Sequence, residues 1–390
     1  MSYHGKKRQM RDRKKFILFY IIMFILPLVT FALICAGYMA YRTYEVYVSV
    51  KGNEHHWRGR GHRADTELGF SPIPNSAGAR VFPIGPDIPV RYDDDGFRVP
   101  VDYTPKLSQP RPLVITLGCS FTFGDAVHAE DTYPYLVGQY LHGTAKNAGV
   151  CSFGLSQMLI LSRKLVPIYR PDYLLVQYST WLVDRARRPF APSYQWKLPS
   201  PYFYEENNRF VLHGPVFLTK VGDTPVDKYR NTPKSMTDAC SFFWNVVLPL
   251  DWYDNYNMFK YEIKKGAGRI PRPTNATDAL IKYVYSEISN VAAQYGAKLV
   301  IVVLGSNDKP VDVDKKLFPA DAIIVNAHDA LLAHLAVLNL NNKAGYQKEY
   351  AHWRGSPPKI VDKHPNETAH RIIAEQIVSK INEATIQQPK

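Results

Sequence analysis

Residues 113–127 read LVITLGCSFTFGDAV and decide the fold class of this 390-residue chain. Apart from Thr116 the run is continuously apolar up to Gly118 and small polar residues follow, as is typical of a parallel strand buried on both faces. Runs of the same type recur at residues 173–176 (YLLV) and 298–304 (KLVIVVL). Helix-like stretches lie between them, and residues 367–381 place four isoleucines on one helical face. This alternation predicts an α/β fold with a parallel sheet and helices on both faces.

Ser120 comes directly after the first of these predicted strands, between Gly118 and Gly124. In α/β sheets, sites lie beyond the carboxyl ends of the strands, and glycines there allow a tight turn and close approach of a substrate. Ser120 is therefore a candidate nucleophile. The alternative is a serine that only caps the helix after the strand, which is a common arrangement.

A second candidate segment, residues 360–366 (IVDKHPN), stands just before the C-terminal helix. A nucleophilic serine needs a base within hydrogen-bond reach, and that base needs an acid that orients it and stabilises the imidazolium. Asp362 and His364, two residues apart in a loop bounded by Pro365, can supply both from one segment. The alternative is a charged loop in which Asn366 caps the following helix.

Taken together, these segments resemble the SGNH, or GDSL-like, hydrolase superfamily from about residue 112 to the C-terminus. Gly118, Cys119 and Ser120 match the block that carries the nucleophile, with Cys119 in place of the usual Asp. Residues 147–149 (NAG) fit the block that supplies an oxyanion-hole glycine, here Gly149. Residues 362–366 match the last block, an Asp shortly before a His that is followed by Pro-Asn.

The third block of the family departs from the pattern. The family has Gly-x-Asn-Asp after a strand, but the register of residues 171–178 (PDYLLVQY) leaves Trp181 where the oxyanion-binding Asn belongs. An indole offers one N–H donor, in a different geometry from an amide. Residues 305–308 (GSND) spell the missing block after a later strand. Asn307 is therefore a weaker oxyanion candidate, with a plain polar turn as the alternative.

The resemblance implies a flavodoxin-like sheet of the SGNH type and a serine hydrolase that acts on ester bonds. Ser120 would attack the carbonyl, His364 would carry the proton and Asp362 would hold the imidazole. Backbone N–H groups of Ser120 and Gly149, assisted by Trp181, would bind the oxyanion. Many members of the superfamily act on acyl groups of carbohydrates, as esterases or as O-acyltransferases. No cofactor is expected, and no Cys-x-x-Cys or histidine spacing indicates a metal site.

The N-terminus indicates a membrane anchor. The composition, 46% hydrophobic and 21% charged, excludes disordered, collagenous and disulfide-scaffold proteins. Seven cations against one acid make residues 1–15 a basic tail, which holds much of the formal net charge of +13. Residues 16–41 carry no charge and are long enough to cross a bilayer. The positive-inside rule predicts a single-pass inner (plasma) membrane protein with a cytoplasmic N-terminus and a periplasmic or extracellular catalytic domain.

The rest of the chain is predicted to be a β-rich lead-in at residues 42–111 and an α/β domain at residues 112–390, with an aromatic-rich insertion at about 185–285. The insertion could bind sugar rings, with Arg185, Arg187 and Arg188 attracting an acidic polymer, or its aromatics could form a core. The expected partners are the bilayer and a cell-envelope or secreted polysaccharide, and no nucleic acid, since no recognition motif is present. The alternative function is a catalytically weak glycan-binding or scaffold subunit of an envelope polysaccharide synthesis or export machinery.

Overall fold

The computed structural model describes residues 3–54, 57–58, 61–105, 109–193, 196–217 and 235–386. The chain divides into two compact units. One contains Met1–Gly52 and Lys228–Tyr253, and the other contains Asn53–Asp227 and Asp254–Lys390.

The first unit is built on one long helix, α1 (Tyr3–Glu54). Its stretch Phe19–Glu45 has a mean hydropathy of 2.6 and exposes its apolar side chains. A bilayer core of about 30 Å needs roughly 20 helical residues, so this stretch is long and apolar enough to cross a membrane. Pro27 lies inside the helix, as membrane helices tolerate. The same unit contains α6 (Met236–Phe242) and a π-helical turn (Phe243–Val247) that leads into α7.

The second unit alternates strands and helices along the chain. Its strands are β1 (Trp57–Arg58), β2 (His62–Asp65), β3 (Gly69–Pro72), β4 (Ala77–Arg80), β5 (Ile88–Tyr92), β6 (Arg98–Val99), β7 (Leu113–Leu117), β8 (Thr144–Asn147), β9 (Tyr173–Tyr178), β10 (Phe190–Ser193), β11 (Trp196–Pro199), β12 (Tyr202–Glu206), β13 (Arg209–His213), β14 (Lys298–Val303), β15 (Ile323–Asn326), β16 (His352–Arg354) and β17 (Lys359–Asp362). Its helices are α2 (Ser120–Phe123), α3 (Tyr133–Tyr140), α4 (Leu155–Tyr169), α5 (Thr180–Ala186), most of α7 (Leu248–Gly266), α8 (Asp278–Gln294), α9 (Ala327–Val337), α10 (Lys343–Tyr350) and α11 (Glu367–Ile386).

The main sheet has nine strands in the order β1-β4-β5-β6-β8-β7-β9-β14-β15. The five strands from β8 to β15 are parallel to their neighbours. Counted from β7 as the first, their order is 2-1-3-4-5, which is the flavodoxin-like order. The predicted fold class, an α/β fold with a mostly parallel central sheet preceded by one apolar helix, is therefore confirmed.

Two apolar layers cover the sheet, one on each face. Along β14, Leu299, Ile301 and Val303 belong to the core that includes α4 and α8. Val300 and Val302 belong to the opposite core, which includes α3, α9 and α11. Successive side chains of a strand point to opposite faces, so a strand covered on both sides is apolar at nearly every position. Full burial of each such side chain stabilises the fold by about 1.5–3 kcal/mol.

The predicted lead-in, residues 42–111, takes two forms. Up to Glu54 it continues α1, whereas β4, β5 and β6 extend the main sheet in antiparallel pairing. The junction is the pair Arg98↔Asn147, between β6 and β8. The lead-in thus shares a sheet with the strand that precedes Ser120, and it brings two buried arginines to that region.

The predicted insertion, residues 185–285, forms two hairpins, β10/β11 and β12/β13, followed by α6 and α7. Tyr202 and Phe203 are fully buried, whereas Trp244, Trp252 and Tyr256 are exposed by 57%, 69% and 45%. Tyr194 and the side chains of Trp196 and Tyr253 lie outside the described residues. The insertion therefore supplies both core aromatics and exposed ones.

Two of the three arginines that were expected to attract an acidic polymer are engaged within the fold. Arg185 donates to the Phe153 carbonyl, and Arg187 donates to the Thr274 carbonyl and the Thr277 hydroxyl. Arg188 is exposed.

Candidate active site

Ser120 is the first residue of α2, three residues beyond the end of β7. Its side chain is half-buried, and Cys119 before it is fully buried. The N–H of Cys119 donates to Oε1 of Gln177 at 3.0 Å, and the Thr122 hydroxyl donates to the same oxygen at 2.8 Å. Gln177 lies on β9, so a neighbouring strand fixes the turn that carries Ser120.

The glycine before this turn is required for packing. A Cβ at Gly118 would lie 1.8 Å from Oγ1 of Thr122 and 2.7 Å from Oε1 of Gln177. Real Cβ contacts are essentially never under 3.0 Å. Only glycine therefore lets the strand end, α2 and the Gln177 amide meet at this point.

Asp362 ends β17, and His364 follows it in the loop before α11. Oδ1 of Asp362 lies 2.7 Å from Nδ1 of His364 and also accepts the backbone N–H of His364 at 2.7 Å. Asn366 accepts the N–H of Ala369 and donates its amide to the Glu349 carbonyl at 2.8 Å. The loop is thus held at both ends, and Nδ1 faces the carboxylate while Nε2 remains for a substrate or nucleophile.

The structure adds a charged pair to this site that the sequence analysis did not include. Arg80, at the end of β4, places Nη2 at 2.8 Å from Oδ2 of Asp362 and Nε at 2.9 Å from Oδ1 of Asp125. The other oxygen of Asp125 lies 3.8 Å from Nδ1 of His364. The exposed fractions of the Arg80, Asp125 and Asp362 side chains are 4%, 1% and 6%. His364 therefore faces two buried carboxylates that share one guanidinium.

By residue type and spacing, Asp125, Asp362 and His364 could also hold a metal ion, since their ligand atoms lie within 4.8 Å of one another. The Arg80 guanidinium, however, already pairs with both carboxylates. The guanidinium already neutralises the carboxylates that a metal ion would bind. The four side chains therefore fit an acid–base cluster better than a metal site.

A second arginine of the lead-in supports residues 119–125, which we call the nucleophile turn. Arg98 is buried and donates to the carbonyl groups of Phe123, Gly124 and Val127. Its guanidinium lies 4.3 Å from the centroid of the Phe123 ring. Carbonyls at a helix end have no partner within the helix, so a buried cation there satisfies them and fixes the segment that leads from Ser120 to Asp125.

The charges around His364 shift its pKa. Burial of the ring lowers the pKa, but the Asp125 carboxylate, together with the hydrogen bond and charge of Asp362, outweighs burial and raises it to about 9. Burial raises the pKa of Asp362, but the hydrogen bonds and charge of His364 and the charge of Arg80 lower it well below its ordinary value. At neutral pH His364 is therefore an imidazolium beside the ionised Asp362 carboxylate.

Ser120 and His364 lie on adjoining segments. The Phe121 ring meets the His364 ring edge-on, with centroids 5.6 Å apart. The N–H of Asp125 donates to the Ser120 carbonyl at 3.0 Å. Within the residues that the structure describes, however, Oγ of Ser120 has only a weak contact of 3.9 Å with Sγ of Cys119 and no hydrogen bond to the imidazole. Catalytic hydrogen bonds often form only in the substrate complex. The missing hydrogen bond between Ser120 and His364 in the unliganded structure therefore does not exclude Ser120 as the nucleophile.

Two backbone N–H groups, those of Ser120 and Gly149, were expected to bind the oxyanion. The first has no hydrogen-bond acceptor in the described part of the chain, and the second already donates a hydrogen bond. Among the described residues no acceptor takes the N–H of Ser120, which is at the start of α2. The N–H of Gly149 donates to Oδ1 of Asn147 at 3.0 Å. The Asn147 amide in turn donates to the Thr122 carbonyl at 3.0 Å. An oxyanion that used the Gly149 N–H would have to displace the Asn147 oxygen.

The two side-chain oxyanion candidates are placed differently. Trp181, on α5, meets Phe121 edge-on with ring centroids 5.2 Å apart, and no hydrogen bond of its indole N–H is found in the described part of the chain. Asn307 is exposed in the loop after β14, where its Oδ1 accepts the N–H of Lys309 at 2.9 Å. The structure thus brings Trp181 beside the Ser120 turn, whereas Asn307 stabilises its own loop.

The sequence matches no protein-family model and no curated protein. Solved structures of similar fold include LAE5, an α/β hydrolase enzyme from the metagenome of Lake Arreo, Spain, with 12% identity over 70% of this chain and 97% of that chain (TM-score 0.35). A catalytic mutant of Axe2, an acetylxylan esterase from Geobacillus stearothermophilus, has 12% identity over 71% and 96% (TM-score 0.33). A protein from Desulfitobacterium hafniense DCB-2, described as lipolytic and of the G-D-S-L family, has 9% identity over 69% and 99% (TM-score 0.27). Likeness at these levels supports no conclusion about the activity or substrate of this chain.

Sequence reasoning missed Arg80, Asp125 and Gln177. Asp125 stands five residues after Ser120, within the quoted segment, and an acid so close to a candidate nucleophile was a usable indication. Arg80 and Gln177 had no such indication, because their roles depend on strands that pair far apart in the sequence.

Proposed function

We propose that this chain is a serine esterase or O-acyltransferase of the SGNH type, anchored in a membrane by α1, that acts on acyl esters of a carbohydrate. One observation carries the proposal. Nδ1 of His364 lies 2.7 Å from a carboxylate oxygen of Asp362, in a loop adjoining the strand-end turn that presents Ser120. A nucleophile, a base and an acid that orients the base are the components of acyl transfer by serine.

In the proposed reaction, Oγ of Ser120 attacks the ester carbonyl while Nε2 of His364 takes the hydroxyl proton. Asp362 keeps the imidazole in the tautomer with Nδ1 protonated and stabilises the imidazolium. In this proposal the Ser120 N–H and the Trp181 indole N–H bind the oxyanion, and the Gly149 N–H joins them after it exchanges its Asn147 partner. The imidazolium then protonates the leaving alcohol. Water releases the acyl group in an esterase, and a sugar hydroxyl takes it in a transferase.

The proposed location follows from α1 and its flanking charges. Phe19–Glu45 is apolar enough to span a bilayer, and seven of the first fifteen residues are cations. By the positive-inside rule, these features support a cytoplasmic N-terminus and an α/β unit in the periplasm or outside the cell. Envelope or secreted polysaccharides are the acylated carbohydrates of that compartment, and acetyl is the simplest acyl group that such a site would transfer.

The function is tested with the full chain in detergent or nanodiscs. Parent protein should hydrolyse an aryl acetate and label with a fluorophosphonate, and Ser120→Ala should lose both. A control, Ser379→Ala on the exposed side of α11, should keep both. Labelling of Ser120→Ala at the parent rate would show that another residue is the nucleophile. Acetylated and acetyl-free polysaccharides, offered in turn as donor and acceptor, then separate esterase from transferase.

The alternative, a catalytically weak glycan-binding or scaffold subunit of a polysaccharide machinery, is favoured by three observations. Oγ of Ser120 has no hydrogen bond to the imidazole within the described structure, the Gly149 N–H is engaged by Asn147, and Trp181 replaces an amide. Saccharide binding measured by calorimetry, without turnover on any ester and without fluorophosphonate labelling, would favour this alternative.

A further inference from the structure

Asp125 has no part in the three-residue mechanism, yet it contacts Ser120, His364 and Arg80. Its backbone N–H donates to the Ser120 carbonyl at 3.0 Å. Its carboxylate places one oxygen 2.9 Å from Nε of Arg80 and the other 3.8 Å from Nδ1 of His364. Its side chain is 1% exposed. A buried carboxylate destabilises the fold unless it is paired with a positive charge. The position of the Asp125 carboxylate beside the imidazole therefore indicates a role in the site.

Arg80 supplies the second half of the arrangement. The guanidinium fork gives one nitrogen to Asp125 and another to Asp362, which are 237 residues apart in the chain. The contact with Asp362 is a hydrogen bond and the contact with Asp125 is an ion pair, so one planar, permanently charged group bridges the two carboxylates. The nucleophile turn, β4 and the His364 loop are therefore joined in one chain of contacts.

We propose that Asp125 and Arg80 are positioning residues of the active site, through which Arg80 holds the Asp125 and Asp362 carboxylates on two sides of His364 and thereby ties the base to the nucleophile turn. This inference rests on the proposed function. Asp125 places a second negative charge 3.8 Å from Nδ1 of His364, whereas the hydrogen-bond partner of that nitrogen is Asp362 at 2.7 Å. The lead-in, which sequence reasoning treated as a separate segment, thus contributes to the site.

The arrangement also sets the acid–base behaviour of His364. The two carboxylates favour the imidazolium, and Arg80 offsets them in part. The charged and titratable groups that face or influence His364 come from five elements: Arg80 of β4, Cys119 and Asp125 of the nucleophile turn, His352 of β16, Asp362 of β17 and His370 of α11. Removal of the Asp125 charge alone should shift the equilibrium toward neutral imidazole, which is the form that a general base needs.

The test compares four variants of the full chain in nanodiscs. Asp125→Asn keeps the side-chain volume and removes the charge, Arg80→Lys keeps the charge and removes the fork, and Arg80→Gln removes both. Glu383→Gln, in an exposed ion pair of α11, is the matched carboxyl-to-amide control. Thermal unfolding shows which variants are folded, and kcat/KM for an aryl acetate is measured from pH 5 to 10.

The expected result for Asp125→Asn is a downward shift of the acid limb of the pH profile by about 1 to 3 pH units, as for loss of an opposite charge within 4–6 Å. Arg80→Lys should lower kcat with little change in KM, because the base is misplaced while the substrate still binds. An unshifted profile in a folded Asp125→Asn protein, equal to that of Glu383→Gln, would overturn the proposal.

A second measurement does not depend on turnover. Imidazole carbon and nitrogen chemical shifts of His364, assigned through His364→Gln, are followed from pH 5 to 10 in parent and Asp125→Asn proteins. A lower His364 midpoint in Asp125→Asn supports the positioning role even if the parent lacks esterase activity, in which case only the proposed function fails. Equal midpoints in the two proteins would refute the positioning role even if the esterase is active.

Discussion

Oδ1 of Asp362 lies 2.7 Å from both the backbone nitrogen and Nδ1 of His364, so a single carboxylate oxygen fixes the loop and the ring. Asp362→Asn should keep much of the loop geometry but lose the charge that stabilises the imidazolium. We expect kcat/KM to fall by about 10²- to 10⁴-fold on an aryl acetate. Because Asp125 remains 3.8 Å from Nδ1, Asp362→Asn combined with Asp125→Asn should be less active than either single variant. Asp102→Asn, a change at an exposed position, should match the parent, and similar rates for Asp362→Asn and parent would remove Asp362 from the mechanism.

The charges around His364 predict an alkaline pH profile. Its pKa is raised to about 9 by Asp125 and Asp362 despite burial, and only the neutral imidazole can accept the serine proton. The value of kcat/KM should therefore rise with pH up to about 9 and then level off. The measurement is a pH series with a substrate whose spontaneous hydrolysis is subtracted. A plateau already reached at pH 6 would contradict this charge arrangement.

The raised pKa of His364 makes the stability of the fold depend on pH. A folded-state pKa above the unfolded value means that the folded protein binds the proton more tightly, so the stabilisation is full below about 6.5, the unfolded value, and is lost as pH rises through about 9. The free energy of unfolding of the parent should therefore decline across this window. His364→Gln should remove that part of the decline, as measured by denaturant titration at pH 6, 7.5 and 9. Equal pH dependence in the two proteins would show that His364 has no raised pKa.

Gly149 is predicted to be intolerant of a side chain. A Cβ there would lie 2.5 Å from the Phe123 nitrogen and 2.8 Å from the Thr122 carbonyl carbon. Both are backbone atoms, so relieving the clash would require the backbone of α2 to move. Gly149→Ala should displace α2, destabilise the fold by about 1–3 kcal/mol and reduce fluorophosphonate labelling of Ser120. Gly214→Ala, where nothing lies within 4 Å of the new Cβ, is the control. Unchanged stability of Gly149→Ala would show that the backbone of Gly149 does not pack directly against Thr122 and Phe123 of α2.

Trp181 is predicted to affect kcat through its N–H. Trp181→Phe keeps a ring against Phe121 and removes the donor, and loss of one oxyanion donor costs about 10²- to 10³-fold in kcat. We expect a fall in kcat with a nearly constant KM. Trp244→Phe, at an exposed ring, should behave as the parent. If Trp181→Phe retains full kcat, the indole N–H does not contact the oxyanion.

Much of this protein could be predicted from local pattern. The mostly apolar runs identified the strands that became β7, β9 and β14, since a strand covered on both faces has few polar positions. The apolar run near the N-terminus predicted a helix long enough for a bilayer. The contact between Asp362 and His364 could also be anticipated, because two residues in one short loop are necessarily close. In each case the relevant physics acts between near neighbours in the sequence.

The tertiary structure alone decided the charge environment of the site. Arg80 meets Asp362 across 282 residues, and it does so because β4 and its partners extend the main sheet through the pairing of β6 with β8. Engagement of the Gly149 N–H by Asn147 and the position of Trp181 against Phe121 likewise depend on how strand ends converge. Sequence pattern encodes which residues are buried, but the pairing of buried charges is set by three-dimensional packing, where partners distant in the chain come within hydrogen-bond distance.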